Sequence, residues 1–371
     1  MAQLLTSEPS CKFLEPNCKF AILAIHNVRV NVLSDLILPD KTRVFNSFPF
    51  TIEDHWRDWL GTIQFNQLKD CNLSFVRTAT EGWPDGQLSI YGGTVDMELL
   101  SQVDRVFAML RLLGTIEYEN AFVLAGYVEN ELPTCRHFGK CEKFKITRGC
   151  LPWAFSEEDL HTATALRETY TLLLKNTTDI QKCRLSRGFY ALSAAFKQYY
   201  ASDRLHGFIR ALEALILPDR GSTEKQFMSR CALFAGPKSV EQSIRTILQE
   251  AYRMRCDIEH MHDWDRSIPT TYANSDREDV ALWRTRQMEE LASTAYRKIL
   301  SDKALLPNFH DDATIEAFWK KTEDEIRAAF GNFCDISKLK IVKKYDAFGR
   351  ADSSESPPEL FTDLSQKAKS V

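Results

Sequence analysis

Tyr252-Arg253-Met254-Arg255-Cys256-Asp257-Ile258-Glu259-His260-Met261-His262 closes a run in which Ile244, Ile247, Ala251, Met254, Ile258 and Met261 recur at steps of three and four. That period belongs to a helix turning one face towards a core, and it predicts a helix over 239–262. The same stretch holds the densest set of groups suited to chemistry. Arg255 and His260 form an Arg-x-x-x-x-His pair, joining a permanent cation to the side chain that exchanges a proton near neutral pH. At about 100° per residue, Arg255 lies roughly 40° off the centre of the apolar stripe and His260 projects about 140° away from Arg255.

Working outward, helical spacing recurs over 156–175, 185–202, 204–217, 223–236 and 276–301. Short breaks separate these segments, among them Leu-Pro-Asp-Arg-Gly at 217–221 and Gly236-Pro237. Ser156 followed by Glu157, Glu158 and Asp159 reads as the capped start of the series. Residues 156–305 therefore predict an all-α helical bundle. A further helix is expected from Asp311 to Phe330, with Ile315, Phe318, Trp319, Ile326 and Phe330 on its apolar side, and 306–371 ends in a mobile polar tail from Asp346.

Residues 1–150 have a different character. Lys19 to Val30, Gln87 to Tyr91 and Ala121 to Val128 are rich in strand formers. Glu81-Gly-Trp-Pro-Asp-Gly86 and Gly92-Gly93 mark reversals, while Ile52 to Leu68 and Met97 to Leu113 carry helical spacing. The expected fold class is α+β: a mixed α/β N-terminal module of unassigned role followed by the bundle.

With 371 residues, 44% hydrophobic and 26% charged, the chain has the balance of a soluble protein with a substantial core. A formal net charge of −4 argues against coating nucleic acid by bulk electrostatics and leaves room for a local basic cleft. Met1 to Glu8 lacks the features of a secretory leader and no run approaches the ~20 apolar residues of a membrane span. A cytoplasmic location with no membrane partner is expected. Ten scattered cysteines suggest reduced thiols. Cys135, His137, Cys141 and Cys150 lie near one another, but no C-x-x-C pair is present and their spacing matches no common zinc module. Neither metal nor cofactor is expected.

Metal-independent RNA cleavage requires a base for the ribose 2′-hydroxyl, an acid for the departing 5′-oxygen and positive charge on the phosphate. His260 suits the first two roles and Arg255 the third, and RNA is the substrate that carries its own nucleophile. Asp257, three residues before His260, is placed to fix its tautomer. The other reading pairs Arg255 with Glu259 one turn on and leaves His260 a solvated surface residue. Because the two groups diverge around one helix, a two-fold dimer is the natural way to bring copies of the pair into one cleft.

Three ordered blocks carry a resemblance to a known family: Phe208-Ile-Arg-Ala-Leu-Glu-Ala-Leu-Ile216, Glu224 to Phe234, and Tyr252 to His260. Over roughly 185–300 the chain resembles the Apea-like branch of the HEPN superfamily. The resemblance implies a bundle that dimerises, with the Arg-x-x-x-x-His motif forming a metal-independent ribonuclease site between protomers, a type found among toxins and anti-phage effectors. Arg255 and His260 fall on the motif ends and Glu213 on the glutamate of the Ala-Leu-Glu block. Phe227, Arg230 and Tyr252 fall on positions expected to pack. Cys256 and Met261 stand where the family often has a polar residue and a glycine. Read from the residues, Glu213 lies beside the apolar face of its helix and needs a cation such as Arg255 or Arg210. The competing expectation, from another class, is a non-catalytic dimerisation or ligand-binding scaffold with the N-terminal module as its sensor.

Overall fold

The computed structural model describes residues 14, 18–31, 35–52, 54–79, 95–129, 132–141, 143–145, 154–175, 183–268, 277–331 and 334–339. The expected strand at 87–91, the reversals at 81–86 and 92–93, Cys150 and the tail from Asp346 lie outside them. The protein is α+β, dividing into one unit of Met1–Lys143 with Pro152–Thr171 and a second of Phe144–Leu151 with Leu172–Val371.

The first unit is built on strands β1 (Lys19–His26), β2 (Val30–Asn31), β3 (Leu36–Ile37), β4 (Arg43–Phe45), β5 (Cys71–Ala79), β6 (Asn120–Glu129), β7 (Leu132–Lys140) and β8 (Phe155–Ser156). Helices α1 (His55–Leu60), α2 (Thr62–Lys69), α3 (Val95–Leu110) and the first part of α4 (Glu157–Lys175) complete it. Six strands form an antiparallel sheet in the order β3-β4-β5-β1-β6-β7. Central β1 is buried on both faces, so it reads as a continuous apolar run rather than an alternating one. Phe20, Ile22 and Ala24 pack with Trp56, Leu60, Phe65 and Leu68 of α1 and α2. On the other face Leu23 pairs with Phe75, whose ring meets Phe107 of α3 at 6.5 Å.

Two differences from the sequence expectation have local causes. The helical spacing at 52–68 is divided at Gly61, whose φ of 77° is open to glycine and costly for other residues. The first unit also reaches past Ser156 into α4, where Arg167 meets Asp40 at 2.7 Å and Asp40 in turn accepts from the Thr42 backbone. Leu160, Ala163 and Leu166 are buried along the same part of α4, and the charge pair links that helix to the sheet unit.

The second unit contains α5 (Arg184–Lys197), α6 (Ala201–Ile216), α7 (Thr223–Ala232), α8 (Glu241–Glu259), α9 (Arg277–Ser301), α10 (Asp312–Trp319) and α11 (Glu323–Phe330). Helix α6 lies at its centre, packed by α5, α7, α8, α9 and α10, and Leu205, Phe208, Ile209, Leu212, Leu215 and Ile216 are buried along it. Gly188 of α5 admits the close approach of α6 and α9, since a Cβ there would collide with the Tyr296 hydroxyl and Ala214. The single helix expected over 311–330 is two. A turn through Lys320 and Lys321 ends α10, and α11 restarts on a capping box in which Glu325 accepts from the Thr322 backbone at 2.8 Å. Both return to the bundle: Trp319 donates to the Leu215 carbonyl at 3.0 Å, and Phe330 stacks on Phe234 at 4.7 Å.

Candidate functional site

Helix α8 carries the motif, and its packing on α6 fixes what each residue touches. Tyr252 and Met254 are buried, and the Tyr252 ring lies 5.2 Å from Phe227, which is itself buried on α7. Arg230 caps α6 by donating to the carbonyls of Ile216 and Leu217. Phe227 and Arg230 thus contribute framework.

Arg255 reaches across to α6. One terminal nitrogen lies 3.5 Å from Glu213 Oε2 and the other 2.6 Å from Glu259 Oε2, with the guanidinium 5.6 Å from the centre of the Tyr252 ring. Both Arg255 and Glu213 are only 17% exposed at the side chain. Burial works against the Arg255 charge, but the carboxylates of Glu213 and Glu259 outweigh it and hold its pKa above the ordinary value. Burial pushes the Glu213 carboxyl upward, opposed by Arg255. Burial, reinforced by Glu213, raises the Tyr252 hydroxyl to about 12. The neighbouring Cys256 thiol is also raised by burial, against the pull of its hydrogen bond to Arg255, so it is no ready nucleophile.

Sequence reasoning missed His206. It stands on α6 with Nδ1 3.9 Å from Glu259 Oε1, and that nitrogen is buried with no hydrogen-bond partner among the described residues. Burial, then the Arg255 charge, lowers its pKa, and Glu259 opposes them. The neutral imidazole is therefore the form favoured here. The signal was present: His206, Arg210 and Glu213 stand at i, i+4 and i+7, one face of one helix. What sequence did not show was that this face meets α8 at Arg255 and Glu259.

His260 lies at the end of α8, exposed, with its ring 6.3 Å from that of His262. Among the described residues no hydrogen bond or ion pair joins it to Arg255. Asp257, a candidate to orient it, accepts a hydrogen bond from Ser267. The helix ends in a Schellman turn: the Met261 N–H bonds to the Ile258 carbonyl at 3.1 Å and the His262 N–H to the Asp257 carbonyl at 2.8 Å. Met261 therefore occupies the left-handed position usually given to glycine, with φ of 57°. This turn carries His260 and His262 out of the helix groove into solvent.

The structure thus assembles Arg255, Glu213 and Glu259, adds His206, and leaves His260 and Asp257 apart from that cluster. The pairing of Arg255 with Glu259 expected from their spacing is present. Elsewhere, the Cys135 thiol donates to the His137 carbonyl at 3.0 Å and burial pushes its pKa to about 12. Among the described residues no group of three His, Cys, Asp or Glu side chains converges to hold a metal ion. No helix there is long and apolar enough to cross a membrane. No family model matches the chain, and neither does any curated protein or solved structure.

Proposed function

We propose that the helical unit is a metal-independent endoribonuclease of HEPN type, with Arg255 and His260 as its reacting groups. The observation that supports this most is the clamp on Arg255. Two carboxylates on two helices orient its guanidinium at the end of α8 that also presents His260 and His262 to solvent. Fixed orientation of a charge that meets developing negative charge is what phosphoryl transition-state stabilisation requires.

In this reaction His260 takes the proton of the ribose 2′-hydroxyl and the freed oxygen attacks phosphorus. The bond to the 5′-oxygen breaks, and that oxygen leaves as a 5′-hydroxyl with the proton His260 took up, opposite a 2′,3′-cyclic phosphate. Arg255 neutralises the crowded phosphate. Because the two groups are not partners within one chain, the reading requires a two-fold dimer in which each cleft takes Arg255 from one protomer and His260 from the other. The N-terminal unit then serves as sensor or RNA selector, and the biological setting is a toxin or anti-phage effector acting in the cytoplasm.

A second reading has its own support: Arg255 is already neutralised by Glu213 and Glu259, which suits a structural tie in a non-catalytic dimerisation or ligand-binding scaffold. Incubation of the full chain with mixed RNA in chelator separates the two. The ribonuclease predicts cleavage to 2′,3′-cyclic ends, reduced about 100-fold or more in His260→Ala with folding and sedimentation unchanged. Equal cleavage by wild type and variant sinks the assignment to His260, and none by either leaves the scaffold.

A further inference from the structure

We propose that the outward stripe of α5 and the turn into α6 form a stacking platform for single-stranded RNA. Arg187, Tyr190, Ala194 and Lys197 follow one another at steps of three and four along α5 and so share a face. Tyr199 and Tyr200 follow in the turn, where the backbone of Gln198 and Tyr200 is extended. All three tyrosines are well exposed, at 77%, 75% and 66%, while most other large hydrophobic side chains among the described residues of this unit are buried. Tyr199 and Tyr200 meet edge to face at 5.2 Å, and Lys145 Nζ sits 5.3 Å from the centre of the Tyr199 ring. Lys145 is held there by its own backbone, whose N–H bonds to the Phe196 carbonyl at 2.7 Å, and by Phe144 packed 6.1 Å from the Phe196 ring.

Flat aromatic faces interleaved with cations suit a partner that presents flat faces and repeating negative charge, which describes unpaired bases on a phosphate chain. From Tyr190 to Lys197 the helix rises about 10 Å, room for roughly three stacked bases at about 3.4 Å each. Charge also argues against a second copy as occupant. A two-fold contact across this stripe would set Arg187 and Lys145 against their own copies. Asp312, the acid that acts on Arg187, is already held by Arg184 at 2.9 and 3.0 Å.

The platform leads towards the candidate site. Tyr200 precedes His206 by about 9 Å along α6, and His206 faces Glu259, the residue before His260. At about 100° per residue Tyr200 and His206 lie roughly 120° apart around α6, so a strand on the tyrosines wraps around that helix to reach the exposed end of α8. Only this last step rests on the ribonuclease reading; the binding does not.

The test is fluorescence anisotropy in chelator with the full-length His260→Ala chain and labelled single-stranded oligouridylate, with an RNA duplex of equal length as control. Single-stranded RNA is expected to bind more tightly than duplex. Tyr190→Ala with Tyr199→Ala and Tyr200→Ala should weaken binding at least ten-fold, while the triple Phe variant retains it. Lys145→Ala with Lys197→Ala should flatten the salt dependence. No binding, equal binding by the triple Ala variant, duplex preferred, or a change in sedimentation without a change in RNA affinity would each overturn the platform. Binding through the tyrosines in a wild type that cleaves nothing would sink the ribonuclease and leave the platform standing.

Discussion

Two arginine–carboxylate clusters on one helix show how differently the same chemistry is used. At the middle of α8, Glu250 meets Arg284 of α9 at 2.7 and 2.8 Å, with side chains 8% and 2% exposed. Arg284 also donates to Gln287, which donates to the Ile336 carbonyl. Five residues on, Arg255 divides itself between Glu213 at 3.5 Å and Glu259 at 2.6 Å, and His206 stands beside them with an unsatisfied nitrogen. The first cluster is closed: short bonds in a dry interior resist change. The second is open at one edge and incompletely satisfied, the condition in which a polar cluster retains capacity for a ligand or a proton.

The contrast is sharpest in stability. Glu250→Ala removes the carboxylate at 2.7 Å from the buried Arg284 guanidinium and should cost about 3–5 kcal/mol, read from the urea midpoint. A loss below about 1 kcal/mol, the range of exposed pairs, would mean that the interior cluster is no more closed than the other. Glu213→Ala should cost about 1–2 kcal/mol, between the values for exposed and buried pairs. Equal losses for the two variants would erase the comparison.

Smaller effects probe the open edge. Met261→Gly should stabilise by about 0.5–1 kcal/mol, because the left-handed Cβ penalty of about 1–2 kcal/mol exceeds the roughly 0.5–1 kcal/mol of added chain freedom. Destabilisation would show that the Met261 side chain, though 93% exposed, makes a contact that matters, as in a dimer. The smallest effect is pH-dependent. Burial and Arg255 hold His206 below its ordinary 6.5, so the unfolded chain takes up the proton first. Stability present above that pH is lost as pH falls through 6.5 towards the folded value. His206→Gln should reduce this loss, so its urea midpoint falls less than that of wild type between pH 7.5 and 5. Parallel curves would place His206 in free solvent.

Much of the helical unit was legible because its segments are long and periodic. Residues 185–202, 223–236 and 276–301 match α5, α7 and α9 within a few residues, except that Gln198 to Tyr200 leave the helix for the turn into α6. The sheet was harder. β1 and β6 announce themselves as apolar runs, but β5, Cys-Asn-Leu-Ser-Phe-Val-Arg-Thr-Ala, mixes polar residues into both faces, and β7 is a half-exposed edge. In β5 the polar residues break the apolar run although most of the strand is buried, Ser74 included; in β7 the pattern is weak because pairing to one neighbour, rather than burial, holds the strand. Chain reversals depended on single residues, Gly61 and the Thr322 capping box, whose effect is local but easily overlooked inside a helical period.

Sequence alone settled that α8 is an amphipathic helix, that Arg255 and His260 diverge around it, and that Glu259 lies within reach of Arg255. These follow from the fixed turn of a helix. The same period ran the helix on to His262 with Met261 facing the core, whereas α8 ends at Glu259 and Met261 is exposed. Which face of α6 meets that helix was a matter for tertiary packing, since the approach of two helices depends on every side chain along both surfaces. That packing gave Arg255 its second carboxylate, set His206 beside Glu259, and left His260 facing water.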